Sequence, residues 1–479
     1  MAFSNRARPW LAPVFCVAAC HKTAPPTTSA NAGSAAVGSQ ANGSAAPTGA
    51  TCAAAKAEHG SRLAWFVDDY PAALACAVAT QRAIVMDLWA PWCHTCLSMQ
   101  NTVFTDAAMA AIADKFVFVA IDTDRDRNAA TVAAFPLSAW PTFYVIAPSE
   151  QVLGRLVGSA SASQFVAFVQ DSQVTATPQS VAALITQGDQ AVTRGDFTAA
   201  EPLFAAALEK AGQASLRRPQ IVLSLLQTKA KRNDFLGCVR LASTEAGNLG
   251  QTSAASDAMH IAMNCAQPVS KQNEAGAAAA AQLRTVAITT WTTLLAAPNT
   301  QLSVDDRADA MVGLREAYDA MDKHSDAVAM AETQRALLDD AAGKARTPLA
   351  ASTYNWPRAE VYVYLGRALD IVPALVASAN ALPTDYDPPY RAAWAYFQGQ
   401  KYTDAALWAN KAKALVYGPR KTRVLALLID IAKAQRDHGA ELEARRELVT
   451  TYQALPSSAQ NPNALAAAQA ELAAAEDHR

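Results

Sequence analysis

From residue 62 onward, compact apolar runs alternate with stretches of helical period. Pro71–Arg82 (PAALACAVATQR) predicts a helix with Pro in its first turn. Ala83–Trp89 (AIVMDLW) is an almost unbroken apolar run, as expected of a strand buried on both faces. A helical stretch then runs to about Gln100. Val103–Ala113 reads as a second helical piece, capped by Thr105 or Asp106. Lys115–Asp122 predicts another strand and Asn128–Phe135 a short helix. Thr142–Ile146 and Gln151–Gly158 form a strand pair around Pro148-Ser149-Glu150, and Ser161–Val169 closes the unit as a helix. The expected order is α-β-α-β-α-β-β-α.

Beyond Pro178 the β-like runs stop. Ser180–Gly212 reads as two helices around Arg194-Gly195-Asp196. Small residues at Gly188 and Ala200 would let the pair approach closely, with Phe204 filling the gap. Tyr402, Ala405, Ala409 and Ala412 repeat the second-helix spacing, and a later copy runs from Leu428 through Ala432, Ala444 and Leu448 to Pro456. Weaker copies lie around Phe235–Ala242, Tyr318–Ala331 and Leu365–Ser378. Ala275–Gln282 is alanine-dense and reads as helix or connector. His260, His324 and His438 are scattered singly and read as surface residues.

Composition narrows the class. Of 479 residues, 51% are apolar, enough for a sizeable core. Glycine is scarce (20 residues) and alanine abundant, which favours helix over sheet, and charge is low at 17%. Basic and acidic residues number 40 and 42, a balance that argues against nucleic-acid binding. No apolar run reaches the roughly 18–20 residues of a membrane span. Thr23–Ala55 contains no charged and no aromatic residue. Such a stretch cannot bury enough apolar area to offset ordering, and reads as a tether.

The candidate chemistry is Cys93-His94-Thr95-Cys96, placed where a strand passes into a helix. Thiol–disulfide exchange needs a thiolate, and unpaired N–H groups at a helix start favour an anion. Cys93 is then the nucleophile, and Cys96, one turn on, resolves the mixed disulfide. His94, when protonated, would favour the thiolate further; otherwise it is a solvent-facing spacer. Asp87, an acid inside an apolar strand, is either the proton acceptor for Cys96 or a structural carboxylate satisfied by backbone. Trp92 and Trp140 either rim the thiolate or simply pack. A c-type haem is excluded because Leu97, not His, follows Cys96. Structural zinc is excluded because no second ligand pair lies nearby.

These features together resemble the thioredoxin family. The resemblance covers about residues 60–172 and rests on Asp87, on Ala90-x-Trp92-Cys93-x-x-Cys96, and on Trp140-Pro141-Thr142, where thioredoxins carry a cis-proline. Cys96-Leu97-Ser98-Met99 through Val103-Phe104-Thr105-Asp106 is most similar to the branch containing the C-terminal periplasmic domain of DsbD. The His94-Thr95 spacer departs from the Gly-Pro of thioredoxin itself. The resemblance implies an α/β thioredoxin fold, with Pro141, Trp92 and His94 contacting substrate. The second half, residues 180–479, resembles tetratricopeptide repeats, implying an all-α helical array with a concave binding face.

At the N-terminus, Arg6 and Arg8 precede a ten-residue apolar stretch, Trp10–Ala19. It ends in Val17-Ala18-Ala19-Cys20, which resembles the bacterial lipobox. The resemblance implies a signal peptide over 1–19, lipidation at Cys20, a tether over 20–58 and a membrane anchor. The reading as an ordinary cleaved signal stays open. His21, rather than Asp, points to the outer membrane. With Cys16 and Cys20 set aside, six of eight cysteines remain. Cys52 with Cys76, and Cys238 with Cys265, are either structural disulfides or buried thiols.

The expected function is a thiol–disulfide reductase of the cell envelope. It would act on protein disulfide substrates, draw on a membrane electron donor, and need neither metal nor organic cofactor. The alternative is a non-catalytic, lipid-anchored binding or assembly protein in which the helical array is the functional part.

Overall fold

The computed structural model describes residues 52–53, 55–57, 61–173, 177–213, 215, 217–297 and 302–477. Cys20 and the signal lie outside the described residues.

The first unit is a six-stranded mixed sheet. Its strands are β1 (Lys56–Ala57), β2 (Ala64–Val67), β3 (Ile84–Trp89), β4 (Val117–Asp122), β5 (Thr142–Ile146) and β6 (Val152–Val157), in the order β1-β2-β4-β3-β5-β6. β2, β4 and β3 run parallel; β5 and β6 are antiparallel additions, as is β1 at the other edge. Helices α1 (Tyr70–Thr80), α2 (His94–Ser98), α3 (Ala129–Ala134) and α4 (Ala162–Asp171) cover the sheet. This is the thioredoxin order.

The structure departs from the expected string in two places. β1 and β2 precede the first helix. β2 buries Trp65 into one face cluster and Phe66 into the other, so its four residues show no polar–apolar alternation to announce a strand. The helical piece over Val103–Ala113 is also not one helix. α2 widens into a π-helical turn over Met99–Val103, and a separate 3₁₀ turn spans Ala107–Ala111. Asp106, not Thr105, caps that turn, its carboxylate accepting from the Ala108 amide at 2.7 Å. Met99, Val103 and Phe104 are all buried by this arrangement.

The rest is a chain of helices. They are α5 (Val181–Thr193), α6 (Phe197–Lys210), α7 (Arg218–Lys231), α8 (Phe235–Glu245), α9 (Ser253–Ser270), α10 (Glu274–Ala296), α11 (Val304–Asp319) and α12 (His324–Lys344). There follow α13 (Pro348–Ser352), α14 (Asn355–Tyr364), α15 (Val372–Ala381), α16 (Asp387–Gln398), α17 (Tyr402–Leu415), α18 (Lys421–Gln435), α19 (His438–Ala454) and α20 (Pro462–Asp477). Short turns fold consecutive helices back on one another. In the first pair, a Cβ at Gly188 would meet the Phe204 ring at 2.6 Å, so the glycine is what admits the aromatic. The alanine-dense stretch lies within α10.

The array wraps the sheet unit. Along β6, the Thr186 hydroxyl and the Gln190 amide of α5 donate to the Leu153 and Val152 carbonyls. Asp189, buried, accepts from the Arg155 amide at 3.1 Å. Near the far end of the array, the Ser458 hydroxyl donates to the Ala129 carbonyl at the start of α3. Between these contacts, α11, α13 and α14 pack on α2.

Two disulfides staple the outer parts. Cys52–Cys76 ties the chain before β1 to α1, and Cys238–Cys265 ties α8 to α9. The latter spans 27 residues of sequence. On chain-entropy grounds such a loop contributes about 3.5 kcal/mol. The expected result for Cys238→Ser/Cys265→Ser is a loss of roughly that size in unfolding free energy by urea titration, with disulfide exchange unchanged.

Candidate functional site

β3 ends at Trp89, and Ala90–Trp92 turn the chain into α2. Cys93 is the N-cap of α2, its Sγ accepting from the Cys96 amide at 3.0 Å. Cys93 and Cys96 are joined as a disulfide and form a small cluster with Ala90, Trp89, Trp92 and Trp140. Trp92 and Trp140 meet edge-on at 5.0 Å. The Trp140–Pro141 bond is cis, and the buried Pro141 carbonyl accepts from the Gly158 amide. Of the residues singled out in the sequence, Cys93, Cys96, Trp92 and Trp140 are brought together here.

Asp87 lies on β3, the strand that leads into the Cys93 turn. It is 2% exposed, and burial pushes its carboxyl up to about 8. Asp87 Oδ1, Trp89 Nε1 and Gln100 Oε1 are all buried without a protein hydrogen-bond partner. All three residues line one cavity of about 60 Å³, room for water. Gln100 sits on the turn that follows Cys96, so the cavity borders the segment that carries the second cysteine.

The disulfide is covered. Cys93 and Cys96 are only 4% and 1% exposed. The cover comes from the helical array, a feature no local sequence pattern announces. The Trp92 indole donates to Asp124 at 2.8 Å, and Tyr386, itself buried, donates to the same carboxylate at 2.8 Å. The Arg420 guanidinium lies over the Trp92 ring at 4.5 Å, and Arg391, paired with Asp387, reaches the Trp92 carbonyl. Tyr417 donates to Asp122 at 2.5 Å. Further along, Ser98 meets Ser303 and Asn101 meets Thr353. Beside Ser98 a cleft of about 380 Å³ opens on this seam, lined by hydroxyls of Ser98, Thr102, Ser159, Ser161, Ser163 and Ser303.

His94 is part of the cover rather than a solvent-facing spacer. Its Nδ1 lies 2.8 Å from Asp305 Oδ1 on α11. Burial pulls the imidazole down, but Asp305 and Asp309 pull harder in the other direction and raise it to about 9. His94, Asp305 and Asp309 present donor atoms within 4.8 Å of one another, close enough to share a cation. His94 and Asp305 already face each other as an ion pair, which neutralises both without one.

His260 also departs from the surface role expected of it. It packs against Trp291 at 5.0 Å, its ring meets the Asp309 carbonyl, and burial lowers it to about 4. His324 and His438 do lie at the surface.

These shifts set a pH profile. Burial raises Asp87 to about 8, and Asp257 and Asp385 to about 7; His94 stands at about 9. A group raised on folding holds a proton that the unfolded chain gives up, so stability falls as pH rises through the folded value. His260, lowered, costs stability only below its ordinary value of 6.5. Between pH 6.5 and 9 the raised groups act in one direction. The expected result is a Tm of the oxidised protein that falls steadily across that window by calorimetry. A flat or rising Tm would contradict these assignments.

Residues 65–148 match the family model described as thioredoxin-like. The thiol:disulfide interchange protein DsbD of Ralstonia nicotianae is 33% identical over 113 residues, 23% of this chain and 19% of that protein. This chain thus spans about a fifth of that relative's length. Among solved structures, a tetratricopeptide repeat protein from Parabacteroides merdae is 13% identical with a TM-score of 0.40, over 62% of this chain and 99% of that one. The APC/C hetero-tetramer Cut9–Hcn1 is 14% identical with a TM-score of 0.31, over 64% and 52%. No helix among the described residues is long and apolar enough to cross a membrane.

Proposed function

We propose that this protein is a thiol–disulfide oxidoreductase of the bacterial envelope that reduces protein disulfides, with the helical array as its docking part. The observation that carries the reading is the Cys93–Cys96 pair at the N-terminus of α2, directly after the strand that holds the buried Asp87. The likeness of this segment to a thiol:disulfide interchange protein supports the exchange chemistry.

In the reduced protein, the Cys93 thiolate attacks one sulfur of a substrate disulfide. The substrate S–S bond breaks, a Cys93–substrate disulfide forms, and one substrate thiolate leaves. Cys96 gives its proton to Asp87, which burial keeps near neutral pKa. The Cys96 thiolate then attacks Cys93 Sγ and releases the second substrate thiolate. The substrate gains two electrons, and the chain is left as the Cys93–Cys96 disulfide. A dithiol donor at the membrane must restore the pair. Pro141 and Trp92 line the approach, and no metal or organic cofactor takes part. A lipid on Cys20 would hold the protein at the membrane, the outer membrane favoured. Palmitate labelling that is unchanged by Cys20→Ala would remove the anchor.

A second reading rests on the burial of the pair: the disulfide clamps a binding or assembly protein and never turns over. Insulin reduction by the full chain with dithiothreitol separates the two. The oxidoreductase reading expects turnover well above the dithiothreitol background. No turnover in either reduction or oxidation assays would leave the binding protein.

A further inference from the structure

We propose that Asp305, supplied by the helical array, is a positioning residue that holds His94 as an imidazolium beside Cys93, so that the array completes the redox site. This deepens the oxidoreductase reading and rests on it.

His94 is the residue directly after the nucleophile, and its side chain hydrogen-bonds Asp305, 211 residues away in sequence. Asp305 is 1% exposed. It sits in the first turn of α11, where helix N–H groups favour an anion. Ser303 and Asp306 form a capping box that fixes this turn. Asp309, one helical turn on, brings a second carboxyl group within 4.8 Å of the pair, but burial holds its own pKa well above the usual carboxylate range, so Asp305 is the principal counter-charge. The groups that act on the ring therefore come from several elements: Asp305 and Asp309 on α11 favour its charge, and Arg391 on α16 opposes it. Asp306, Asp257 of α9 and Tyr354 lie in the same charged neighbourhood. The carboxylates prevail, and the ring stays protonated at pH 7.

The consequence follows from which redox form carries charge. The Cys93 thiolate is an anion and the disulfide is neutral. An imidazolium next to Cys93, with its counter-charge one step behind, favours the thiolate form. The pair is then more oxidising with the array seated than with it displaced. In the reductase direction, a seated array holds electrons on the pair, and a substrate that displaces it frees them.

The test uses the full chain. The expected His94 titration by NMR in the wild type is near pH 9, and a ring titrating at or below 6.5 overturns the proposal, whatever the activity assays show. In Asp305→Asn, His94 is expected to titrate below pH 7. Cys93, followed by alkylation rate against pH, should ionise about one unit later. The equilibrium with glutathione should shift about tenfold toward the disulfide, or about 30 mV. Asp305→Glu should restore most of the shift. A folded Asp305→Asn that loses Tm while leaving His94 and the glutathione equilibrium unchanged shows a merely structural contact and overturns the proposal. A wild-type potential that moves on adding zinc or EDTA makes the cluster a cation site and also overturns it. If the wild type catalyses no exchange, the functional reading fails while the His94 titration still decides the Asp305 contact.

Discussion

Replacing Cys93 with serine is expected to take disulfide exchange to the uncatalysed background, a loss on the order of a thousandfold or more. A serine hydroxyl is not ionised at any pH the protein tolerates, so no anion sits at the N-cap of α2 to attack a disulfide. The Cys96 amide still has an acceptor in the hydroxyl, and the change takes only one sulfur from the Ala90–Trp92–Trp140 cluster. Unfolding should therefore move little beyond the loss of a three-residue cross-link. Insulin reduction checks the activity, and urea titration checks the fold. Activity that survives in Cys93→Ser would move the chemistry to another thiol.

Truncating Tyr386 is expected to expose the site. Its ring is 1% exposed and stands edge-on to Tyr417 at 5.4 Å. Its hydroxyl holds the carboxylate of Asp124 that also receives the Trp92 indole. Tyr386→Ala leaves a cavity at this joint, with a cost on the order of 3–5 kcal/mol for a buried aromatic. The contacts of α5 on β6 lie elsewhere and are untouched. The loss should thus appear as local opening over Trp92 rather than release of the whole array. In the reduced protein, alkylation of Cys93 by iodoacetamide should speed up at least about tenfold, converting about 1.4 kcal/mol of that cost into opening. Tyr386→Phe removes only a hydrogen bond, worth about 1 kcal/mol, and should fall between. Alkylation as slow as in the wild type would mean that Tyr386 does not hold the cover shut.

The difference between what could be read from the chain and what could not follows from the range of the interactions. Apolar runs such as Ala83–Trp89 and Lys115–Asp122 are local signals, and β3 and β4 lie within them. The Gly188 and Phe204 spacing is local too, and α5 and α6 pair through those residues. β2 was hidden because Trp65 and Phe66 face opposite layers of the core, so neither side of the strand is polar. The widening of the helix after Ser98 is hidden because a π-helical turn has no distinctive composition. The cysteine spacing marked the redox pair. The cover over it is built from Asp305 of α11, Tyr386 and Arg391 at the start of α16, and Tyr417 and Arg420 in the turn before α18, all hundreds of residues from Cys93. Each is a commonplace surface residue until the array folds back. The burial of His260 has the same cause: a lone histidine gives no sign of the Trp291 ring it packs on.

The most direct measurement is the capture of a reaction intermediate by the full chain with Cys96→Ser. Without its resolving thiol, Cys93 should stop at the mixed disulfide. Incubation with a disulfide-bearing protein followed by acid quenching and mass spectrometry should recover an adduct on Cys93 that dithiothreitol releases. No adduct on Cys93, or one carried only by another cysteine, would contradict the account.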